Sequence, residues 1–275
     1  MKRFLNNRRK KTRFLVYILS GIITCIYLGG MFVSESMYEA NFQIKNTAPS
    51  LNHLFGTDFL GRDMLFRTWK GLCTSLTVGF CAACISACIA LVFGIIAGLW
   101  KTADRVISWL TDLFLAIPHL ILVILISIAL GKGTVGVLIG VAFTHWPSLT
   151  RIIRAEVLSL KQRPFIESAA KFGQSKWSIG KKHLMPHVLP QFIIGTLVIF
   201  PHAILHESSI TFLGFGLAPE QPAIGIILSE SLKYITSGYW WLALFPGTIL
   251  ILIILLFDTL GEQISKLQNP KKARE

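Results

Sequence analysis

The sequence predicts an all-α integral membrane protein with about six transmembrane helices. Its apolar runs reach or approach the roughly 20 residues needed to cross a bilayer core. They are continuous rather than alternating, which favours helices over a β-barrel. Composition agrees, since 53% of the 275 residues are hydrophobic and the mean hydropathy is +0.60. Lys and Arg crowd into alternate connecting segments, so the charge pattern also implies a topology.

Residues 1–13 form a basic stretch with Lys2, Arg3, Arg8, Arg9, Lys10, Lys11 and Arg13. Residues 14–33 make the first span. Its apolar body exceeds the roughly 7–15 residues of a signal-peptide core, and no small-x-small cleavage site follows Val33, so it reads as a retained anchor. Residues 34–71 are too polar for the bilayer and form an external segment. The second and third spans are 72–100 and 106–130, and a fourth at 134–149 is the weakest, with His145 and Pro147 near its end. A polar loop, 151–187, leads to the fifth span at 188–206, and the last lies at 239–260. The transmembrane core thus extends over 72–262, and 263–275 is a basic tail.

A net charge of +13 invites a nucleic-acid reading, and its distribution argues against one. Lys101 and Arg105 lie between spans two and three. Arg151, Arg154, Lys161, Arg163, Lys171, Lys176, Lys181 and Lys182 fill the long loop, and Lys266, Lys271, Lys272 and Arg274 follow the last span. The opposite side holds only Lys45, Arg62, Arg67, Lys70, Lys132 and Lys233. With six spans the rich segments share one face, which the positive-inside rule assigns to the cytoplasm together with both termini. The five cysteines sit in or against apolar spans, so no disulfide framework is expected. Cys81, Cys84 and Cys88 share a helical face and read as small residues that let helices approach, rather than as a soft-metal site.

Four polar motifs interrupt this pattern. In the external segment, His53, Gly56-Thr57-Asp58 and Gly61-Arg62-Asp63 describe tight turns, with aspartates that cap and an Arg62–Asp63 pair to order them. The third span carries Arg105, Asp112, Ala116 and Pro118. The proline should kink it, and Asp112 reads as a structural partner for Arg105 or for backbone donors. In the long loop, Pro164 suits a first helical turn, and Phe165, Ile166, Ala169, Ala170 and Phe172 give an apolar face. Gly173 can end that helix in a left-handed conformation, before a second patch at Trp177 and Ile179. Such an element suits a knob that enters a groove on a partner protein. After the fifth span, residues 207–216 followed by Pro219, Pro222 and Gly225 forbid a plain helix, so a broken or re-entrant segment is expected near the external face.

These motifs together resemble the permease subunits of the dipeptide, oligopeptide and nickel ABC importer family, over most of the chain from about His53 to Pro270. His-x-x-Gly-Thr-Asp-x-x-Gly-Arg-Asp matches the segment before the second span of those permeases. Glu167-Ser168-Ala169, Gly173 and His183 to Pro186 resemble their cytoplasmic coupling loop. Arg105, Asp112 and Ala116-x-Pro118 resemble their third span, and residues 207–216 resemble the stretch after their fifth, with Ile224 where the family usually has Trp. Phe257-Asp258 to Gly261, with Asn269-Pro270, is similar to the closing segment.

The resemblance implies a type I ABC importer permease with a cytoplasmic coupling helix, set in the lipid of a bacterial inner membrane. Its implied partners are ATP-binding ABC subunits, a second homologous permease and an extracytoplasmic substrate-binding protein, with no cofactor of its own. Glu167, Ser168, Ala169, Gly173, His183 and Pro186 would then pass ATPase motion into the substrate path. The chain has no Gly-x-x-x-x-Gly-Lys-[Ser/Thr], so hydrolysis is expected in trans and the chain is not an enzyme.

The histidines bear on substrate. His206-Glu207 falls short of His-Glu-x-x-His because position 210 is Ile, so a zinc-protease reading fails. His202 and His206 stand one helical turn apart with Glu207 adjacent, and these three are the candidate substrate path. Two imidazoles at that spacing can hold a divalent late transition metal; they can equally bond backbone carbonyls beside Pro201. His119, next to Pro118, and His145, next to Trp146-Pro147, could join from neighbouring spans. The expected cargo is a nickel- or cobalt-type divalent metal, free or chelated, or a di- or oligopeptide. A stand-alone secondary transporter or channel is the alternative; it predicts inverted repeats and intramembrane charge pairs across halves, neither of which the sequence displays.

Overall fold

The computed structural model describes residues 8–268, and within them the chain is helical, with a single isolated bridge between Thr57 and Asp63 in place of any strand. Helix α1 (Arg8–Phe32) is followed by two short 3-10 turns and an elbow. Then come α2 (Met64–Leu99), α3 (Lys101–Ala116), α4 (His119–Ala129) and α5 (Gly133–Lys161). Two short helices, α6 (Pro164–Lys171) and α7 (Lys176–Ile179), precede a wide π-helical turn at Gly180–Leu184. Helices α8 (Met185–Phe212), α9 (Ile224–Ile235) and α10 (Trp241–Gln268) complete the described chain. The basic residues 1–7, Asn269-Pro270 and the rest of the tail lie outside the described residues.

The six apolar runs read from the sequence fall in α1, α2, the α3–α4 pair, α5, α8 and α10. Among the described residues, α1, α2, α8 with the turns before it, and α10 are by length and composition apolar enough to cross a membrane, and a bent pair counts as a fifth. That pair is α3 and α4, which meet at 98°, so the expected kink is a full break. Pro118 lacks an N–H and its ring disfavours helical backbone in the preceding residue; Ile117 is extended at φ −84, ψ 135. The weak fourth span falls within α5, which is 29 residues long and falls short of that apolarity. It packs against α2, α4 and α8, and Val137, Val141, Ala142, Trp146, Ile153 and Val157 are buried there. A helix wrapped largely by protein can carry polar groups that find partners in the bundle, as a lipid-facing one cannot. The second helix also begins eight residues earlier than the apolar run, because Asp63 caps it: its carboxylate accepts from the Leu65 N–H at 2.9 Å.

Helix α2 is the centre of the bundle. Ala83, Ala87 and Ala90 are fully buried, and a side chain at Gly98 would overlap Val157 while one at Gly94 would sit 2.6 Å from Ile153. Small residues here let α5 approach closely, which is how helices gain packing energy where lipid offers no hydrophobic drive. Alanine and glycine do this work; Cys81 and Cys88 are exposed and Cys84 is half-buried. Helix α1 lies at the periphery against α2 and α10, pinned where the Trp69 indole donates to the Ile26 carbonyl at 2.7 Å.

The elbow before α2 is locked by charge. Gly61 has φ +77, and a side chain there would overlap the Asn41 carbonyl, so only glycine fits. Buried Asp58 accepts from the Leu60 and Arg62 N–H groups at 2.8 and 3.0 Å, from Arg62 Nε at 2.6 Å and from Arg67 Nη1 at 3.1 Å. Arg67, also buried, donates to Glu230 on α9 at 2.6 Å, as Arg62 does at 3.2 Å. The Arg62–Asp63 pair expected from adjacency does not form: Asp63 is engaged as the cap and with His53 Nδ1 at 2.8 Å. One elbow thus ties the start of α2 to α9 across the fold.

Candidate functional site

Two regions hold the candidate functional residues, the loop between α5 and α8 and a histidine group between α4, α5 and α8. In the loop, Pro164 occupies the first turn of α6, where its missing N–H has no intrahelical partner to lose. Gly173 ends the element at φ +78. The Phe172 N–H donates to the Ser168 carbonyl at 2.9 Å and the Gln174 N–H to the Ala169 carbonyl at 3.1 Å, closing the helix in the way a left-handed terminal residue allows. Ser175 then caps α7 by accepting from the Ser178 N–H at 3.2 Å.

The apolar face foreseen for this loop is divided. Ile166, Ala169, Ile179 and Leu184 are buried against the bundle, whereas Phe172 is 88% and Trp177 67% exposed. Glu167, Ser168 and Ala170 also face outward. Part of the face anchors the loop and the remainder presents aromatic rings to whatever lies beyond the chain. His183 Nε2 donates to Gln174 Oε1 at 3.1 Å, and His187 Nδ1 donates to the His183 carbonyl at 2.7 Å, so His183 braces the loop. Pro186 stands in the first turn of α8, just past the π-helical turn.

Charges fasten α3 to α5. Asp104 pairs with Arg154, whose Nη2 donates to Oδ2 at 2.8 Å. Asp112 pairs with Arg151 at 2.5 Å, not with Arg105. The partner expected for Asp112 exists, but it comes from another helix.

The histidine group differs from the pair suggested by spacing. His206 on α8 converges with His119, the first residue of α4, and His145 on α5. Each offers one ring nitrogen, and the three nitrogens all lie within 4.8 Å of one another. Ring centroids are 4.3 Å apart for His119–His206, 4.4 Å for His119–His145 and 5.1 Å for His145–His206. His202, one turn below His206, is exposed and outside the group. Glu207 points the other way: it is fully buried, and its carboxylate accepts from Thr211 Oγ1 at 3.0 Å and Ser208 Oγ at 3.2 Å. Thr211 in turn accepts from the Leu217 N–H at 3.3 Å, so Glu207 anchors the irregular segment 213–223 that follows α8. Among the described residues no other group of three potential ligands forms, and no cysteine joins one.

Residues 90–272 match the family model described as the binding-protein-dependent transport system inner membrane component. The chain belongs to that family. This permease is 34% identical, over 94% of its length and 84% of the relative's, to the dipeptide transport system permease protein DppC of Alkalihalophilus pseudofirmus. It is 30% identical to DppC of Bacillus subtilis, covering 97% of this chain and 85% of that one. The oligopeptide transport system permease protein OppC of Mycobacterium bovis is also 30% identical, with 98% and 93% covered. The fold is that of a solved chain of the MetNI methionine ABC transporter in an inward-facing conformation, with a TM-score of 0.60 at 17% identity over 75% of this permease and 98% of that chain.

Sequence reasoning reached His206 through its spacing from His202 and named His119 and His145 as residues that could join; the fold brings those two to His206 and leaves His202 outside the group. The permease's Glu230 escaped notice altogether, because 163 residues separate it from Arg67 and no local pattern marks it. Arg154 was visible only as a topology charge. Its partner Asp104 became legible once α3 was seen to lie along α5.

Proposed function

We propose that this permease forms half of the path by which a nickel- or cobalt-type divalent metal, free or held by a small chelator, crosses a bacterial inner membrane. A second homologous permease completes the path, an extracytoplasmic binding protein delivers the cargo, and ATP-binding subunits supply the energy. Both termini and the α6–α7 loop lie in the cytoplasm, where the loop docks on an ATPase subunit. Exposed Phe172 and Trp177 provide its apolar contact, and the Gly173 turn fixes their placement.

The single observation behind the choice of metal is the convergence of His119, His145 and His206 from three helices. A peptide path gains little from three clustered imidazoles, whereas imidazole is a favoured ligand for nickel, copper and zinc. The second reading is di- or oligopeptide import, which the printed names of the relatives favour.

Uptake by cells expressing the complete set of subunits separates the two. With labelled nickel, cobalt and dipeptide offered in parallel, His145→Gln and His206→Gln should lower metal uptake by about tenfold or more at unchanged abundance of the assembled complex. Dipeptide uptake by wild type, with no metal uptake, would replace the metal reading with the peptide one.

A further inference from the structure

The three histidines differ in how their rings are held, and the difference states which atoms are free. His145 Nδ1 lies 2.8 Å from the Val141 carbonyl, which can only accept. Nδ1 of His145 therefore carries the proton in the neutral ring, and Nε2 keeps a lone pair. Thr144 donates its hydroxyl proton to the Gly140 carbonyl at 3.0 Å and lies 3.4 Å from His119 Nε2. Its oxygen is then left to accept from that nitrogen, so His119 presents Nδ1. Metal-binding histidines characteristically donate their second N–H to a carbonyl or similar acceptor, which fixes tautomer and ring orientation. Two of the three rings here already have such a partner.

The donor set is neutral. No carboxylate or thiol among the described residues joins the group, and the nearest acidic residue in sequence, Glu207, is engaged by Thr211 and Ser208. An ion held here at the usual 2.0–2.1 Å from each nitrogen keeps its full charge and has coordination positions to spare. Inside a membrane protein such a charge calls for an anionic neighbour.

We propose that His119, His145 and His206 form an open, three-imidazole site for a divalent ion of the cobalt, nickel and zinc class, with the remaining positions taken by a carboxylate that the cargo itself carries. Thr144 is a positioning residue for the His119 ring. The nitrogens need to close in only modestly from their present 4.8 Å limit, which small ring rotations supply. A neutral set also holds the ion weakly enough to release it, as a conducting site must. The inference rests on the reading of this group as part of a metal path.

The test is cobalt(II) binding to the assembled complex in detergent, with any histidine tag removed and no binding protein present, read by visible d–d absorption. Wild type should saturate with one cobalt(II) per chain, and acetate should shift the band as a carboxylate enters. His119→Gln, His145→Gln and His206→Gln should each abolish the band, while His202→Gln keeps it. Thr144→Val should weaken binding about tenfold or more without loss of assembly, and Thr144→Ser should restore it. Absence of a band in wild type, or its survival in the three glutamine variants, overturns the site. Loss of the band in His202→Gln with retention in His145→Gln overturns it in favour of the pair on α8, and a band unmoved by acetate overturns the shared-carboxylate coordination. A cobalt site that behaves as described in a complex that imports only peptide leaves the site standing and removes the transport reading.

Discussion

The turn at Gly173 offers a test of the coupling loop in which sterics and backbone conformation separate. Its φ of +78 is a region that residues with a side chain enter at a penalty, yet nothing lies within 4 Å of where a β-carbon would stand. A substitution there is therefore resisted by backbone conformation alone. For an L-residue the left-handed region costs roughly 1–2 kcal/mol, with Asn the best tolerated, and a β-branched residue belongs at the upper end. Helix α6 has eight residues, short of the roughly 12–15 that even a favourable isolated helix needs. Its order thus depends on its terminal turn and on the burial of Ile166 and Ala169. A penalty of 1–2 kcal/mol changes a local equilibrium by about 5–30-fold, enough to leave the loop largely undocked.

The expected order of coupled uptake is wild type, then Gly173→Asn close behind, then Gly173→Ala, then Gly173→Val with a loss of about 5–30-fold. The complex should still insert and assemble, ATP hydrolysis should continue without matching transport, and amides of residues 168–174 should exchange hydrogen faster in the order of the defect. Wild-type uptake by a stably expressed Gly173→Val variant would refute the docking argument. A Gly173→Asn variant as damaged as the valine one would show that side-chain bulk, not backbone angle, is what the partner senses.

The elbow before α2 should be the sturdiest polar feature of the fold. Asp58→Ala removes four hydrogen bonds and leaves buried Arg67 with Glu230 alone, a loss of about 3–5 kcal/mol by analogy with broken buried pairs. The detergent-purified complex should then melt about 6 °C lower or more, and an unchanged Tm would mean that Glu230 suffices. For topology, reporter fusions after Lys182 should report cytoplasm and fusions near Asn46 or Glu220 the outside, and an external signal at Lys182 would invert the arrangement.

The helical class, the first long apolar helix, the proline start of α6 and the Gly173 turn were legible in the sequence because each depends on local chemistry. Continuous apolar runs, a proline in a first turn and a glycine at a helix end act over a few residues, and the fold leaves them unchanged. Asp63 shows the limit of such reasoning. Its place next to Arg62 suggested an ion pair, but the backbone turns it back as a helix cap and sends Arg62 to Asp58 and Glu230. Pro118 shows another, since it breaks its span through 98° where a kink was read.

By itself the sequence determined a membrane-embedded helical chain with one long polar, positively charged loop, and it marked His206 as a residue of interest. Only the tertiary structure decided what His206 meets. Helical spacing relates residues one turn apart on the same element, so it could offer only His202. The break after Ile117 turns the start of α4 back into the bundle, and close packing of α5 brings His145 alongside, so residues 61 and 87 positions from His206 become its neighbours. No local pattern records such a meeting, because it is set by where three helices cross.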